Sequence, residues 1–252
     1  MFTTILKKEL REQWRTSRLL VLVAVLFISG MISPLLAKYT PDLLRSVPDI
    51  PAGFAELIPD PTINDAVGQY VKNVSQFGVL LIVILTMGVI SQEKERGTAA
   101  LTFTHPVQRS ALVLAKWLVG MASVALGLLA GGLGCLFYTA ILFELLPAGA
   151  FLTLNLLMLV FLGVYLSVAL LASALARTQS MAAAGAFGGL AVILILSSIP
   201  RIGTYFPGQL TAWGVELVAG NAEPAWWALG ISVAIICGAL LLACWRFENQ
   251  EL

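Results

Sequence analysis

QEKERGT, at residues 92–98, is a short polar stretch between two long apolar stretches of the chain. The polar segment runs on to residue 116 through Leu101, Phe103, Pro106 and Arg109. Gly97 is suited to ending a helix, and Thr98 is suited to capping the next one. A solvated hairpin is one interpretation. The apolar residues at 101 and 103 favour another, because a helical stub this short is unstable alone and needs a surface to dock on.

The composition is that of a membrane protein. The 252 residues are 59% hydrophobic and 12% charged, with a mean hydropathy of +0.91. Soluble domains average about 45–50% apolar and about 25% charged residues. The net charge of +1, without a basic cluster interleaved with aromatic residues, excludes a nucleic-acid partner. The composition therefore predicts a polytopic membrane protein in contact with lipid.

Six apolar stretches are each near or above the roughly 20 residues that a helix needs to cross a bilayer. They lie at about 19–37, 74–91, 117–143, 150–175, 181–199 and 225–245. Because irregular backbone cannot span lipid, each is predicted to be a helix. The expected fold is all-α, with a transmembrane domain at 19–252.

Residues 1–18 form a separate element. Their apolar side chains recur every four residues, at Phe2, Leu6, Leu10 and Trp14, between basic and acidic ones. This spacing predicts an amphipathic helix that lies in the membrane interface. A cleaved signal peptide is less favoured, because the basic region is long and contains acids.

The basic residues predict the orientation. Eleven of the fifteen lie on one side of the predicted spans: Lys7, Lys8, Arg11, Arg15, Arg18, Lys94, Arg96, Arg109, Lys116, Arg177 and Arg246. The positive-inside rule then predicts that both termini and the 92–116 loop are cytoplasmic. The outer segments at 38–72 and 200–224 are too rich in proline and glycine for further spans, and we expect turns and short helices packed on the bundle.

The sequence offers no catalytic or metal site. The single histidine, His105, precedes Pro106 in the polar loop, where a turn or capping role is favoured over catalysis. A phosphate-binding GxxxxGK[ST] loop does not occur. Charge is nearly absent from the predicted spans, which disfavours an ion or proton pathway. An intramembrane hydrolase stays open as a minor alternative.

The chain resembles the membrane subunits of ABC transporters, the permeases of the type-2 exporter class. The resemblance rests on residues 93–98, on Pro106, Arg109 and Lys116 at the following spacing, and on KKELR at residues 7–11. It implies a bacterial or archaeal cell-membrane permease that dimerises with itself or a sister chain. It also implies a cytoplasmic ATP-binding cassette subunit that would bind ATP and Mg²⁺, with no cofactor on the permease.

By that resemblance, the 92–116 loop is the coupling helix that docks the ATPase subunit. The implied docking residues are Glu93, Glu95, Arg96, Gly97, Thr98, Leu101, Phe103, Pro106 and Arg109. Dimer contacts of the family fall on the first and fifth spans, which makes Gly185 and Gly189 interface candidates, although packing within one chain also explains a GxxxG motif. The function predicted is export of a hydrophobic or amphipathic cargo, such as a lipid, peptide or drug. A non-transporting anchor or sensor of a cassette ATPase is the alternative.

Overall fold

The computed structural model describes residues 2–46, 60–95, 109–221 and 223–249. In these ranges the α-helices are α1 (Phe2–Arg15), α2 (Arg18–Arg45), α3 (Ile63–Thr86), α4 (Ser91–Glu95), α5 (Arg109–Leu142), α6 (Ala148–Leu175), α7 (Gln179–Ser198), α8 (Gly208–Ala219) and α9 (Trp226–Glu248). Six spans are long and apolar enough to cross a membrane, namely α2, α3 with α4, α5, α6, α7 and α9. The predicted all-α fold is confirmed.

Two spanning helices extend well beyond their predicted apolar stretches. Helix α2 continues through Pro34 and Pro41 to Arg45, so the expectation that Pro41 starts a broken loop is wrong. Proline has a helical φ angle and removes only one N–H donor, and the packing of α2 against α3 and α5 keeps the helix continuous. Helix α3 already begins at Ile63, because Thr62 and Asp65 form a reciprocal capping box.

Helix α6 lies at the centre of the bundle. It packs against α3, α5, α7, α8 and α9. Two thirds of the residues in its most apolar 18-residue stretch are buried. The main core combines side chains of α2, α3 and α6, including Leu26, Tyr70, Leu154, Met158 and Leu162. The helices α2, α7 and α9 bury a much smaller share of their surface and leave most of it for lipid or another subunit.

Glycines allow α2 and α5 to approach each other closely. A Cβ atom added to Gly30 would lie 2.0 Å from the carbonyl oxygen of Gly131, and one added to Gly131 would lie 2.6 Å from the carbonyl oxygen of Leu26. Contacts this short leave no room for a side chain. The GxxxG motif formed by Gly127 and Gly131 is therefore a packing motif within the chain.

Contacts between helices define the two ends of the bundle. At the loop end, α1, α4, the start of α5 and the end of α9 meet around Ile5, Ile90, Leu112 and Phe247. At the far end, Lys38 of α2 lies over the ring of Phe143. Helix α8 also packs at the far end, with Leu210 and Trp213 buried against α3 and α6, as predicted for the second outer segment.

Candidate coupling site

A buried lysine connects three helices at the loop end. Nζ of Lys116, on α5, lies 2.9 Å from Oε2 of Glu9 on α1 and 3.0 Å from Oε1 of Glu93 on α4. The side chain of Lys116 is 1% exposed, and those of Glu9 and Glu93 are 6% and 17% exposed. Because a buried charge is costly unless it is paired, these three side chains hold one another in place.

Lys8 adds a second cation at the edge of this group, which we call the Lys116 cluster: Lys8, Glu9, Glu93 and Lys116. Its Nζ lies 3.4 Å from Oε1 of Glu9 and 3.5 Å from Oε1 of Glu93. Partial burial alone would lower the pKa of Lys8, but the carboxylates of Glu93, Glu9 and Glu12 outweigh it, so this pKa is raised. The cluster thus holds two lysines against two carboxylates.

The Lys116 cluster uses the carboxylates that a metal ion would need. Glu9, Glu12 and Glu93 offer oxygens within 4.8 Å of one another. Glu9 and Glu93, however, are already bound by lysine ammonium groups. A cavity of about 50 Å³ adjoins Glu9 and Lys116, lined by Glu12, Gln13 and Arg18 among others, and it has room for water beside the ion pair.

The second span is interrupted just before the polar loop. Helix α3 ends at Thr86 and α4 begins at Ser91, with turns between them. The backbone N–H groups of Ile90 and Ser91 donate to Oγ of Ser173 on α6, at 3.0 and 3.1 Å. Ser173 is completely buried, and its hydroxyl therefore satisfies two donors that the break would otherwise leave unpaired. The break is anchored to the central helix.

The side chain of Lys94 on α4 reaches the ends of two other helices. Nζ of Lys94 donates to the carbonyls of Ala174 and Ala176 at the end of α6, and it lies 5.3 Å from the ring centre of Phe247 on α9. A cation is favourable there, because the last carbonyls of a helix carry partial negative charge. Helix α4, at the start of the loop, is in this way attached to α6 and α9.

Glu95 makes the matching contact at a helix N-terminus. Its Oε2 accepts a hydrogen bond from the backbone N–H of Gln179, the first residue of α7, at 3.2 Å. A carboxylate is favourable beside the unpaired N–H groups that begin a helix. Glu93, Lys94 and Glu95 therefore contact different helices, and the loop begins on a segment with partners on five of them.

Comparison with known proteins identifies this arrangement. The family model described as "ABC-2 family transporter protein" matches residues 3–212, which include nearly all of α1, the 92–116 loop and the first five residues of α8. The chain belongs to the ABC-2 transporter family. It is also similar to the uncharacterized transmembrane protein YxlG of Bacillus subtilis (strain 168), with 25% identity over 253 residues that cover 98% of this chain and 97% of YxlG.

Membership of the ABC-2 family confirms the resemblance found in the sequence and the multi-pass membrane location. Proteins of this family are membrane subunits for transport and are not themselves catalytic, and in general they work with an ATP-binding subunit. The chain is accordingly a permease-type subunit.

The structure describes part of the predicted docking set. Glu93 and Glu95 lie on α4, and Arg109 is the first residue of α5. The remaining members fall outside the described residues: Arg96, Gly97, Thr98, Leu101, Phe103 and Pro106. Their role in docking stays a prediction. The described residues on both flanks of this ABC-2 loop meet in the Lys116 cluster.

The glycines proposed for the dimer contact pack within the chain. A Cβ atom on Gly189 would lie 2.6 Å from Cγ1 of Val168, and one on Gly185 would lie 3.3 Å from Cβ of Ala172, both on α6. By contrast, a Cβ atom on Gly188 would meet no atom within 4 Å. Close packing against α6 accounts for the GxxxG motif here, and a contact of α7 with a second copy stays a prediction.

Sequence reasoning missed the partners of Glu9 and Lys116. The repeat of apolar residues in α1 predicts a face for lipid, and Leu10 and Trp14 are indeed exposed, at 55% and 76%. The face toward the bundle carries Ile5 and Glu9 instead. The available signal was Lys116 itself, a charge about two turns inside a helix that is otherwise apolar after Arg109, which requires a buried counterion.

Proposed function

We propose that this chain is the permease of an ATP-driven ABC exporter, and that a separate cytoplasmic ATP-binding cassette subunit docks on the 92–116 loop. ATP and Mg²⁺ would bind to that partner. The permease would pair with a second copy or a sister chain, with both termini in the cytoplasm as the basic residues predict. The docking residues would be Glu93, Glu95, Arg96, Gly97, Thr98, Leu101, Phe103, Pro106 and Arg109.

The observation that carries this proposal is the bridge made by Lys116. Glu93 stands at the start of the 92–116 loop and Lys116 at its end, and their charged atoms lie 3.0 Å apart. The same ammonium group binds Glu9 on the interfacial helix. A force applied to the loop would therefore reach α1, α4 and α5 through one buried group, which is what a coupling loop requires.

Two further contacts would distribute the displacement. Lys94 links α4 to the ends of α6 and α9, and Glu95 links it to the start of α7. The break between α3 and α4, held by Ser173, would let this end move without bending the whole second span. Closure of the ATPase dimer would then tilt several helices together and alternate the access of the permease.

The cargo would be hydrophobic or amphipathic. Several polar groups inside the bundle pair with one another, as Tyr70 does with Asn155 at 2.7 Å and Asn73 with Ser33 at 2.9 Å. Such pairs stabilise helix packing, and the described spans hold no chain of buried ionisable groups that could carry an ion. A lipid, a hydrophobic peptide or an amphipathic drug fits this interior better.

Affinity purification of the tagged chain from its native membranes tests the docking. Arg96→Glu and Leu101→Asp should each reduce the co-purified cassette ATPase and ATP-dependent transport by at least fivefold. Matched controls at the far end are Arg201→Glu and Leu145→Asp, whose side chains are exposed there. Both controls should retain the ATPase. Unchanged co-purification in the loop variants would refute the docking site.

Transport in reconstituted vesicles separates an exporter from an anchor or sensor. Purified permease with its ATPase subunit should move a fluorescent phospholipid or an amphipathic dye on addition of ATP and Mg²⁺. Stable docking without movement of any such cargo would favour the non-transporting alternative.

A further inference from the structure

A groove on the side of the bundle differs from the rest of the lipid-facing surface. It lies between α3 and α7, with Phe161 and Tyr165 of α6 as its floor and Thr211 of α8 at its upper edge. Its volume is about 540 Å³, within the range of about 300–1,000 Å³ that is usual for small-molecule sites. Val79, Leu80, Leu190 and Leu194 make most of its wall apolar.

One end of the groove carries the cation of Lys72. Lys72 is exposed at this end beside Gln76, and it makes no ion pair with any residue that the structure describes. Twenty-one positions separate Lys72 from Glu93, which corresponds to about 30 Å of helix, the thickness of the hydrocarbon core. With Glu93 at the loop end, Lys72 therefore reaches the headgroup level of the opposite leaflet, while the apolar wall extends below it toward the bilayer centre.

The groove also contains polar groups that the fold does not use. Oγ of Ser75 is buried, with no hydrogen-bond partner among the described residues. Tyr165 is 3% exposed, and its hydroxyl likewise makes no hydrogen bond within the described part of the chain. Elsewhere in the same helices, Tyr70, Asn73 and Asn155 are all paired. Outside the groove, Ser197 and Trp213 are the other described residues with a buried side-chain polar atom that lacks a partner. An unused polar group marks a place where a ligand can supply the partner.

We propose that this groove binds an acidic amphiphile, with its carboxylate or phosphate head at Lys72 and Gln76 and its alkyl chain along Leu80, Phe161 and Leu194. The ammonium group of Lys72 selects a negative head group, and the apolar wall selects a single chain rather than a compact polar solute. Binding requires only the permease, so a negative result here leaves the docking of the ATPase subunit untouched.

Photolabelling of the full chain in phosphatidylcholine nanodiscs tests the site. The probe is palmitic acid with a diazirine at the middle of its chain, and mass spectrometry locates the label. We expect label on peptides that contain Leu80, Phe161 or Leu194. Excess palmitate or dodecyl phosphate should reduce it at least fivefold, whereas dodecylamine should not. Competition by phosphatidylglycerol would identify a membrane lipid as the source of the head group, and competition by free palmitate alone would identify a free acid.

Variants assign the head-group contact. Lys72→Gln should reduce labelling at least fivefold, and Lys72→Arg should retain it. The matched control is Lys38→Gln, which removes a cation at the same end that lies over Phe143, and labelling should be unchanged. Leu194→Trp, which fills the groove, should reduce labelling while Lys72 is intact. Circular dichroism and gel filtration verify the fold of each variant.

Three results would overturn the proposal. The first is label spread evenly over the lipid-facing helices, and the second is competition by dodecylamine as strong as that by palmitate. The third is a pair of observations: the Leu194→Cys variant forms a disulfide between two copies, and the chain takes up no label. Together they would show that a second copy covers the groove.

Discussion

Nζ of Lys116 lies 2.9 Å from Oε2 of Glu9, across 107 positions of sequence, and neither side chain is more than 6% exposed. This ion pair joins the amphipathic helix at the N-terminus to the third span. Lys8 and Gln13 add polar contacts of α1 to the bundle, with Glu93 and with the hydroxyl of Ser123. Helix α1 is thereby part of the candidate coupling site.

Lys116→Met should destabilise the protein strongly. The variant keeps the apolar stem but leaves Glu9 and Glu93 buried without their shared cation, which costs on the order of 3–5 kcal/mol for a broken buried pair. The measurement is thermal unfolding of the purified chain in detergent. Lys7→Met, on the exposed side of α1, is the control and should leave the midpoint unchanged.

The triple variant with Lys116→Met, Glu9→Gln and Glu93→Gln distinguishes charge from packing. It should recover much of the lost stability, because no unpaired buried charge remains and Lys8, which loses both carboxylates, is half exposed to water. The variant should still transmit movement of the loop to the helices poorly, because the ionic link between the loop and α1 is gone. If the triple variant unfolds as readily as the single one, charge burial is not the cause.

Ser173→Ala should loosen the break in the second span. The substitution removes the acceptor of the Ile90 and Ser91 N–H groups, and an unsatisfied buried donor costs about 1–3 kcal/mol. Hydrogen exchange should rise selectively at residues 88–95. Ser232→Ala is matched to it, because Ser232 is equally buried but bonds only within its own helix, to the carbonyl of Ala228. Equal exchange in both variants would contradict the anchoring role.

Gly30→Ala should prevent normal assembly of α2 on α5. Its added Cβ would lie 2.0 Å from the carbonyl oxygen of Gly131, so the two backbones must separate. Gly238→Ala is the control, since nothing lies within 4 Å of a Cβ there and alanine has the higher helix propensity. The yield of monodisperse protein after detergent extraction should fall for the first variant and hold for the second.

Disulfide trapping tests the pairing of two copies through α7. Gly188→Cys points into open space and should crosslink between copies in oxidised membranes, whereas Gly185→Cys, which faces Ala172, should crosslink less. The background is a chain whose three native cysteines are replaced. Gly230→Cys on α9 is equally open and serves as the control. Equal crosslinking at Gly188 and Gly230 would indicate random collision.

The number and order of the spans follow from hydropathy, because lipid requires long apolar helices and the sequence contains six such stretches. Helix ends were less predictable. Pro41 is a loop signal in isolation, yet α2 continues through it. The capping pair Thr62 and Asp65 is a local signal that was available at the start of α3.

The ionic contacts of the coupling site were not predictable. Glu9, Glu93 and Lys116 stand on three separate helices, and spacing along the chain carries no information on which acid meets which base. Ser173 is one of many serines in apolar helices, and only the break opposite it gives it a function. Such contacts arise from helix packing, which sequence patterns constrain only loosely.

The salt bridge between Glu93 and Lys116 bears on whether the loop can be exchanged between related proteins. It fixes the spacing of the two stems from which residues 96–108 emerge, whatever the composition of those residues. Residues 96–108 can therefore be replaced while the two stems keep their spacing. A chimera in which the aligned segment of YxlG replaces residues 96–108 should therefore fold with an unaltered bundle.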